Sequence, residues 1–490
     1  MISVLDDGLF RVTDASGETR KVGLRALLAH AHEFSDICGR TQTGRIALLR
    51  LCVAFLEDVY RPKTRKDRKQ LLEQGCFDMA RVEAYISECN KDAPRFDLDD
   101  AVHPFMQMAF DPEIDTNADK PVSNLFFDRP AGNAHIHFDH RPIETIAVDA
   151  MEALEGMLET YMFCTPMAQG YPSAINNRNP VYTFVRGKNL FHTLVLNMMS
   201  ERELGNIPFG AGMVPWRLER SIVPKETVAS VNYLEAMTWQ PRRLTLTFDE
   251  DGMVRRIYLQ QGKNFIGDGR WRDPWVPFRR MKDGGVTSIK PELGRGLWRD
   301  AGNIVAAMGN ESLVPVPIIN VIGVCDDISN DIIPIEAIGL ITDKIAVASI
   351  LGIVHEEIRI PETLLEDTDK AGRFREWIAL SEEIHGVTTR IIGGDYLPDI
   401  AGLVGEAFLR NVHDVLFGAS LNDLIAAANV DEYEAANRSF GDALFNALRD
   451  SLRGILEETG TSVENIKRQN AVESKAMGYC VKRLKEGNMR

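Results

Sequence analysis

The chain has 490 residues, of which 44% are hydrophobic and 26% charged, and its formal net charge is −15 at pH 7. This length exceeds what one hydrophobic core usually supports, so two or three domains are expected, and the composition excludes collagen-like and disordered chains. The acidic total argues against a non-specific polyanion binder but leaves a local basic surface possible. The absence of a basic, apolar leader and of an apolar run of about 20 residues predicts no signal peptide, no membrane span and a cytoplasmic location.

The seven cysteines are scattered singly along the chain, and no pair has C-x-x-C spacing. This pattern predicts neither a zinc ribbon nor a thioredoxin-like redox site, and it is typical of reduced thiols in a cytoplasm. No cofactor is expected.

Charge is segregated along the sequence. Residues 61–69 hold six positive residues and one acid, residues 241–300 carry a net charge of +5, and residues 361–490 carry −7. Each basic run alone is more often a solvated face than a binding site, so these runs mark candidate surfaces only.

The N-terminal part predicts a small β unit, two helices and a long irregular region. The strands are expected at 9–13 and 19–22, the helices at 43–59 and 78–88, and the irregular region at 93–141. Alternating apolar residues indicate the strands, and apolar residues every three to four positions indicate the helices. An irregular region of this length is usually functional or ordered by a partner.

The middle of the chain mixes both types of element. Helices are predicted at 146–161 and 189–199, a loop at 166–180, and strands at 181–187, 242–248, 254–260, 318–324 and 331–341. The Asp-Gly turn at 251–252 predicts a hairpin, and the last two strands flank a polar tip at 325–330.

Beyond residue 361 the pattern becomes helical. Four amphipathic segments, separated by short breaks, contain 377–387, 409–416, 444–455 and 466–484. Short connections favour antiparallel neighbours, so we expect an α+β fold: a mixed α/β body over residues 1–358 and an antiparallel four-helix bundle over 359–490. The bundle contains no Glu-x-x-His pair, which disfavours a di-iron site.

One local pattern suggests metal chemistry. His135, His137, Asp139 and His140 form an H-x-H-x-D-H run, the ligand spacing of metallo-β-lactamase-like hydrolases. The run lacks the apolar lead-in strand of that fold, and His192 is the only histidine between it and His355. A metal-dependent hydrolase is therefore kept as the alternative to a His-rich contact loop. A P-loop, a dinucleotide fingerprint and a nucleophile elbow are all missing, so no other enzyme class is indicated.

An ordered series of short motifs carries a resemblance. It consists of HPFMQ at 103–107, FDH at 138–140, TFVRG at 183–187 with KNLFHTLVLN at 188–197, WQP at 239–241 and RGLWRD at 295–300, followed by the helical segments. In this order the motifs resemble the CasA family, the large subunit of the type I-E CRISPR surveillance complex Cascade, over essentially the whole chain.

The resemblance implies a function and a set of partners. It implies a non-enzymatic subunit of an RNA-guided antiviral complex that recognises the protospacer-adjacent motif in duplex DNA, starts strand separation and helps recruit a helicase–nuclease. The implied partners are crRNA, target double-stranded DNA, the small and backbone subunits of Cascade and the helicase–nuclease, without a membrane. A protein-binding scaffold without DNA contacts remains a third possibility.

Site residues carried over from the family lie on four loops. They are Asn133 and Phe138 for the crRNA end, Gly170 for the minor groove, Lys263 for the motif, and Ser329 or Asn330 for the wedge that opens the duplex. Outside these loops, Arg279 and Arg280 could guide displaced or incoming DNA, with a solvated basic face as the alternative. The wedge departs from the family pattern because Asp326 and Asp327 lie beside it, and acids are unfavourable against DNA unless they are paired or turned away. A cysteine cluster of some relatives is missing, so no structural zinc is expected.

Overall fold

The structure is a computed structural model. It describes residues 1–130, 142–163, 174–176, 179–219, 222–267, 271–281, 285–302, 332–343, 349–395, 398–456 and 462–489. These residues form two compact units. The first unit contains the described residues up to Leu297 and those between 332 and 359. The second unit contains residues 298–302 and the described residues from Ile360 onward.

The first unit mixes short and long elements. Its helices are α1 Leu24–Ala29, α2 Gln42–Tyr60, α3 Arg65–Gln74, α4 Met79–Cys89, α5 Pro112–Asp115, α6 Ala150–Phe163, α7 Leu190–Leu196 and α8 Tyr233–Met237. Its strands are β1 Phe10–Asp14, β2 Thr19–Val22, β3 Phe34–Cys38, β4 Asp119–Pro121, β5 Tyr182–Val185, β6 Thr227–Val228, β7 Arg242–Phe248, β8 Val254–Gln261, β9 Asn264–Phe265, β10 Phe278–Arg280, β11 Val286–Ser288, β12 Ile332–Thr342 and β13 Ile350–Pro361, the last of which ends just past the unit boundary.

Helix α2 is the centre of the first unit. It begins at the N-cap Thr41, whose hydroxyl accepts a hydrogen bond from the Gly44 amide at 2.9 Å. From Ile46 to Val59 all residues except Arg50, Glu57 and Asp58 are apolar, and all of them, including these three, are buried. A helix of this kind must be surrounded by other elements, and α2 contacts α4, α6, α7, α8, β3 and β12.

Small antiparallel sheets cover this helix. The strand orders are β2-β1-β3, β4-β8-β7 and β13-β12-β5, and β10 pairs with β11. The predicted hairpin at 242–260 is confirmed as β7–β8, and the predicted strand at 331–341 is confirmed as β12. The predicted strand at 318–324 and the tip at 325–330 lie outside the described residues.

Strand β13 was not predicted. Its residues alternate between exposed and less exposed positions from Leu351 to Arg359, but the alternation mixes apolar and charged residues on both faces. His355, Glu356 and Glu357 interrupt the apolar signal, and a two-residue period is difficult to recognise when neither face is uniformly apolar.

The second unit is helical apart from the end of β13. Its helices are α9 Glu362–Glu366, α10 Thr368–Asp395, α11 Pro398–Val415, α12 Leu421–Ala426, α13 Val430–Leu456 and α14 Val463–Glu486. Each of the four long helices contacts two others: α10 contacts α11 and α14, and α13 contacts the same two. The Trp377 ring stacks on Phe440 in this core, with centroids 4.4 Å apart.

The predicted fold class is confirmed as a mixed α/β body followed by C-terminal helices, and the four predicted helical segments lie within α10, α11, α13 and α14. Among the described residues, no helix is both long and apolar enough to cross a membrane.

Candidate nucleic-acid interface

The structure describes the segments next to most of the predicted contact loops rather than the loops themselves. Five of the predicted site residues lie outside the described residues: Asn133, Phe138, Gly170, Ser329 and Asn330. The His-rich run at 135–140 lies outside them as well. Lys263, Arg279 and Arg280 are described, and so are the residues that lead into the loops at 131 and at 173.

The lead-in to the predicted crRNA loop is clamped by two arginines. The guanidinium groups of Arg40 and Arg129 both lie over the Phe126 ring, 4.8 and 4.2 Å from its centroid. Arg40 also pairs with Asp128 at 2.5 Å, and Arg129 pairs with Glu152 on α6 at 3.0 Å. Because Arg40 pairs with Asp128 and Arg129 pairs with Glu152, residues 126–129 are fixed to the start of α2 and to α6.

Two buried glutamates on α6 hold the start of α2 in place. The Glu155 carboxylate accepts hydrogen bonds from the Arg40 and Thr41 amides at 2.5 and 3.4 Å. Glu159 accepts a hydrogen bond from the Thr41 hydroxyl at 2.5 Å. A side chain at Gly44 would collide with the Glu155 carboxylate, so this approach requires glycine.

Burial sets the charge of these two carboxyl groups. Desolvation raises the pKa of Glu155 to about 7 and also raises the pKa of Glu159, because a charged carboxylate is disfavoured away from water. Hydrogen bonds from the Arg40 and Thr41 amides oppose the shift of Glu155. Glu155, which holds the start of α2, is therefore a carboxyl group whose pKa lies near neutral pH.

A second hydrogen-bond cluster fixes residues 174–176, which lead out of the predicted minor-groove loop. The Asn176 amide donates to Asp273 at 2.7 Å and to the Tyr182 hydroxyl at 3.0 Å, and its oxygen accepts from the Trp271 indole at 2.9 Å. Asp273 in turn forms a bidentate pair with Arg50 of α2, with N–O distances of 2.7 and 3.2 Å. The side chains of Arg50 and Asn176, from two distant segments, therefore converge on one carboxylate.

Lys263, the predicted motif contact, is buried. Its side chain is 7% exposed, and its ammonium group pairs with Glu235 at 3.0 Å and lies 5.5 Å from the Trp239 ring centroid. A lysine held in this way reaches a base edge or a phosphate only if it leaves Glu235. The predicted role of Lys263 stays a prediction, and the structure adds this condition to it.

Arg279 and Arg280 lie on the β10–β11 hairpin. The register pairs Arg279 with Thr287 and Arg280 with Val286. The Arg279 side chain is exposed to solvent. Of the predicted contact residues whose side chains are described, Arg279 is the one presented at the surface.

The HPFMQ motif has a structural role in the described chain. Met106 adopts a left-handed backbone with φ 59°, and its carbonyl accepts hydrogen bonds from the Tyr161 hydroxyl and the Gln240 amide, both at 2.9 Å. Gln107 donates to the Leu98 carbonyl at 2.9 Å and accepts from the Leu246 amide at 2.7 Å. The motif therefore joins this segment to α6 and β7.

The TFVRG motif and the asparagine that follows it form a second structural unit. The Asn197 oxygen accepts from the Val185 amide at 2.9 Å, while its amide donates to the carbonyls of Val185 and Thr193, both at 2.7 Å. The Gly187 amide donates to the Thr193 hydroxyl at 2.9 Å, and a Cβ at Gly187 would collide with His192. One asparagine thus joins the end of β5 to α7.

Sequence reasoning missed a buried ion-pair network around Glu336 on β12. Arg45 of α2 pairs with Glu336 at 2.6 Å and with Asp36 at 2.5 Å, and His355 lies 2.8 Å from Glu336. Burial alone would raise the pKa of Glu336, but the hydrogen bond from Arg45 keeps it below its ordinary value. Arg45 and Glu336 are 291 positions apart, so no local pattern could reveal the pair.

Within the described ranges, no group of three or more His, Cys, Asp or Glu side chains has the geometry to hold a metal ion. The run at 135–140 falls in the gap between 130 and 142, so this finding does not address it.

Comparisons with known proteins identify the family. The family model described as CRISPR-associated protein Cse1 matches residues 5–453. The fold is similar to that of Thermus thermophilus CasA (Cse1), with a TM-score of 0.76 and 20% identity over 98% of this chain and 100% of that one. It is also similar to Thermobifida fusca Cse1, with a TM-score of 0.78 and 18% identity over 99% and 98% of the two chains.

A chain of a CRISPR RNA-guided surveillance complex also matches, with a TM-score of 0.73 and 16% identity over 98% of this chain and 99% of that one. No curated protein sequence matches significantly. At these identities the structural matches show the fold, whereas the family model spans most of the chain. The chain belongs to the Cse1 (CasA) family, the large subunit of type I-E Cascade.

Proposed function

We propose that this subunit recognises the protospacer-adjacent motif in duplex DNA, starts strand separation and helps recruit a helicase–nuclease, without catalysing a reaction itself. The observation that carries the proposal is the family match over residues 5–453. In this reading, sequence recognition beyond the motif is left to crRNA base pairing, and the protein reads only a short flanking element. The partners are crRNA, target DNA, the small and backbone subunits and the nuclease, in the cytoplasm.

The geometry next to the loops supports this proposal. A loop that contacts a groove has to be positioned by a rigid scaffold, because misplacement of about 1 Å weakens any set of hydrogen bonds. The Phe126 clamp and the Asp273 cluster provide rigid anchors close to two of the predicted contact loops. We also propose that residues 1–358 carry the nucleic-acid contacts and that residues 359–490 serve assembly.

The test is target binding by the assembled complex. Complexes are reconstituted with crRNA and with wild-type, Asn133→Ala, Phe138→Ala or Arg279→Ala subunit, and their affinities are measured for duplexes with and without a functional motif. We expect the wild-type complex to prefer the motif-bearing duplex and the complex without this subunit to lose that preference. Equal affinities for both duplexes in the wild-type complex would refute motif recognition.

Lys263 has its own test, because its contact requires release from Glu235. If Lys263 reads the motif, Lys263→Ala lowers motif preference, whereas Glu235→Gln, which frees the ammonium group, preserves or raises it. If both variants lose preference in step with lost thermal stability, the pair is structural. Metal content addresses the hydrolase alternative: stoichiometric zinc that is lost in His137→Ala, together with hydrolytic activity, would overturn the non-catalytic role.

A further inference from the structure

The basic run at 61–69 forms a surface that the predicted contact loops do not include. Helix α3 buries Leu71 and Arg68 and exposes its opposite side. Arg68 is used internally, because its guanidinium pairs with Glu203 at 2.5 Å and donates to the Met198 carbonyl at 2.5 Å. Lys63, Lys66 and Lys69 of the run are not used in this way.

A second segment adds a cation to the same place. The backbone amides of Glu201 and Arg202 donate to the carbonyls of Pro62 and Lys63 at 2.9 and 3.2 Å, which brings Arg202 beside Lys63. We define the α3 basic surface as the side chains of Arg61, Lys63, Lys66, Lys69 and Arg202. Lys63, Lys66 and Arg202 are exposed, and Lys69 is half-buried.

These cations have few opposing charges. Among the described residues, no carboxylate lies within ion-pair distance of Lys63, Lys66, Lys69 or Arg202. Arg61 is 43% exposed, pairs with the buried Asp58 carboxylate at 3.8 Å and donates to the Asp58 carbonyl at 3.1 Å, so it lies at one edge of the surface and is partly neutralised. The exposed acids nearby are Asp67, Glu73 and Glu201.

Asp67 is engaged with the backbone. Its carboxylate accepts hydrogen bonds from the Lys63 and Thr64 amides at 2.8 and 2.9 Å, at the start of α3. These bonds lower the pKa of Asp67, so the carboxylate stays charged, but it faces the helix N-terminus, whose partial positive charge offsets it.

We propose that the α3 basic surface binds the phosphate backbone of duplex DNA without reading its sequence. Flexible lysines without carboxylate partners act as point charges toward phosphate, whereas base reading relies on planar, oriented donors. The chain has a net charge of −15, so it does not need a cationic patch to stay soluble. The clustering of these cations on one surface therefore favours a polyanionic partner. The inference rests on the proposed function in one respect, since it takes the complex to bind duplex DNA.

The experiment measures the salt dependence of duplex binding by the reconstituted complex. The test variant is Lys63→Ala/Lys66→Ala/Lys69→Ala. The matched control is Lys91→Ala/Lys225→Ala/Lys467→Ala, which removes the same charge from three exposed, separated positions. Each phosphate contact contributes about 0.9 to the slope of log K against log salt concentration. Three lost contacts should therefore make the salt dependence weaker, reducing the magnitude of this negative slope by roughly 2–3.

We expect the test variant to lose affinity equally for duplexes with and without the motif at low salt, and to keep the wild-type ratio between them. The control should match wild type, and both variants should keep the wild-type melting temperature. An unchanged slope in the test variant would overturn the inference, and so would loss of other subunits from the complex at unchanged DNA affinity, which would identify a protein contact. Motif preference in the wild-type complex is measured in the same titrations, so a failure of motif recognition is recorded separately.

Discussion

The two units of this protein use charged residues differently. In the first unit, several ion pairs are buried and join distant segments. Examples are Arg50 with Asp273 and Arg243 with Asp115, whose four side chains are each at most 5% exposed. The second unit also has long-range pairs, Arg299 with Glu382 and Arg483 with Glu383. Others, such as Arg438 with Glu434, are local i,i+4 contacts that are more than half exposed. The first unit depends on specific polar contacts for its geometry, and the second depends on apolar helix packing.

The difference follows from what each unit contains. The first unit holds many short elements and long irregular segments, whose backbone groups need side-chain partners when they are buried. The second unit satisfies its backbone within long helices, so an apolar stripe on each helix is sufficient. The predictions below test this contrast.

The largest effect is expected from Asp273→Ala. It leaves the Arg50 guanidinium buried without its partner and also removes the acceptor for Asn176. Removal of one member of a buried pair costs about 3–5 kcal/mol in the free energy of unfolding, measured by urea denaturation. Glu434→Ala in the second unit is the control, with an expected loss below about 1 kcal/mol. Similar losses for both variants would contradict the contrast.

The second unit should instead be sensitive to cavities. Leu448→Ala on α13 removes a fully buried side chain, and the expected loss is about 2–5 kcal/mol. Leu403→Ala on α11, where the side chain is 55% exposed, is the control and should have little effect. If Leu448→Ala unfolds at the wild-type urea concentration, apolar packing is not what stabilises this unit.

Asn197→Ala tests the polar joint between β5 and α7. The variant leaves the amide and carbonyl of Val185 without their partner, and an unsatisfied buried group costs about 1–3 kcal/mol. Asn197→Asp keeps the acceptor for the Val185 amide but cannot donate to the carbonyls. An aspartate variant as stable as wild type would show that the donated bonds do not matter.

Glu57 gives an effect that is the smallest within any one pH unit, a pH dependence. Desolvation raises the pKa of this buried carboxyl to about 8, so between about pH 4.5 and 8 the folded protein keeps a proton that the unfolded chain releases. Its contribution to stability is therefore present at acidic pH and decreases as the pH rises through that window, by up to about 1.4 kcal/mol per unit. Glu57→Gln should flatten urea midpoints between pH 5.5 and 7.5, and an unchanged slope would exclude Glu57 as the source.

The sequence predicts the regular elements better than the contacts between them. Helix α2 and the β7–β8 hairpin were predicted because their signals are local: apolar spacing in one, an Asp-Gly turn in the other. Strand β13 was missed because His355 and Glu357 interrupt its apolar pattern. The Arg45–Glu336 pair was missed because its partners are brought together only by the completed fold.

The resemblance identified the family, but its motifs mark the scaffold. HPFMQ and the TFVRG segment are specific because Met106 needs a left-handed backbone and Asn197 makes three backbone contacts. Such constraints tolerate few residue types. The predicted contact residues are less constrained by the fold, and they depend on a partner that a single sequence does not contain.

The Phe126 clamp has a practical consequence for protein engineering. Because Arg40, Arg129 and Glu152 fix the chain immediately before residue 131, that position is a natural splice point for exchanging the following segment with that of another family member. A graft that keeps Phe126 and its two arginines starts from an anchored end, so the contacts of residues 126–129 are kept in the recipient protein. Chimaeras built in this way would test whether the crRNA contact proposed for this segment can be exchanged between subunits.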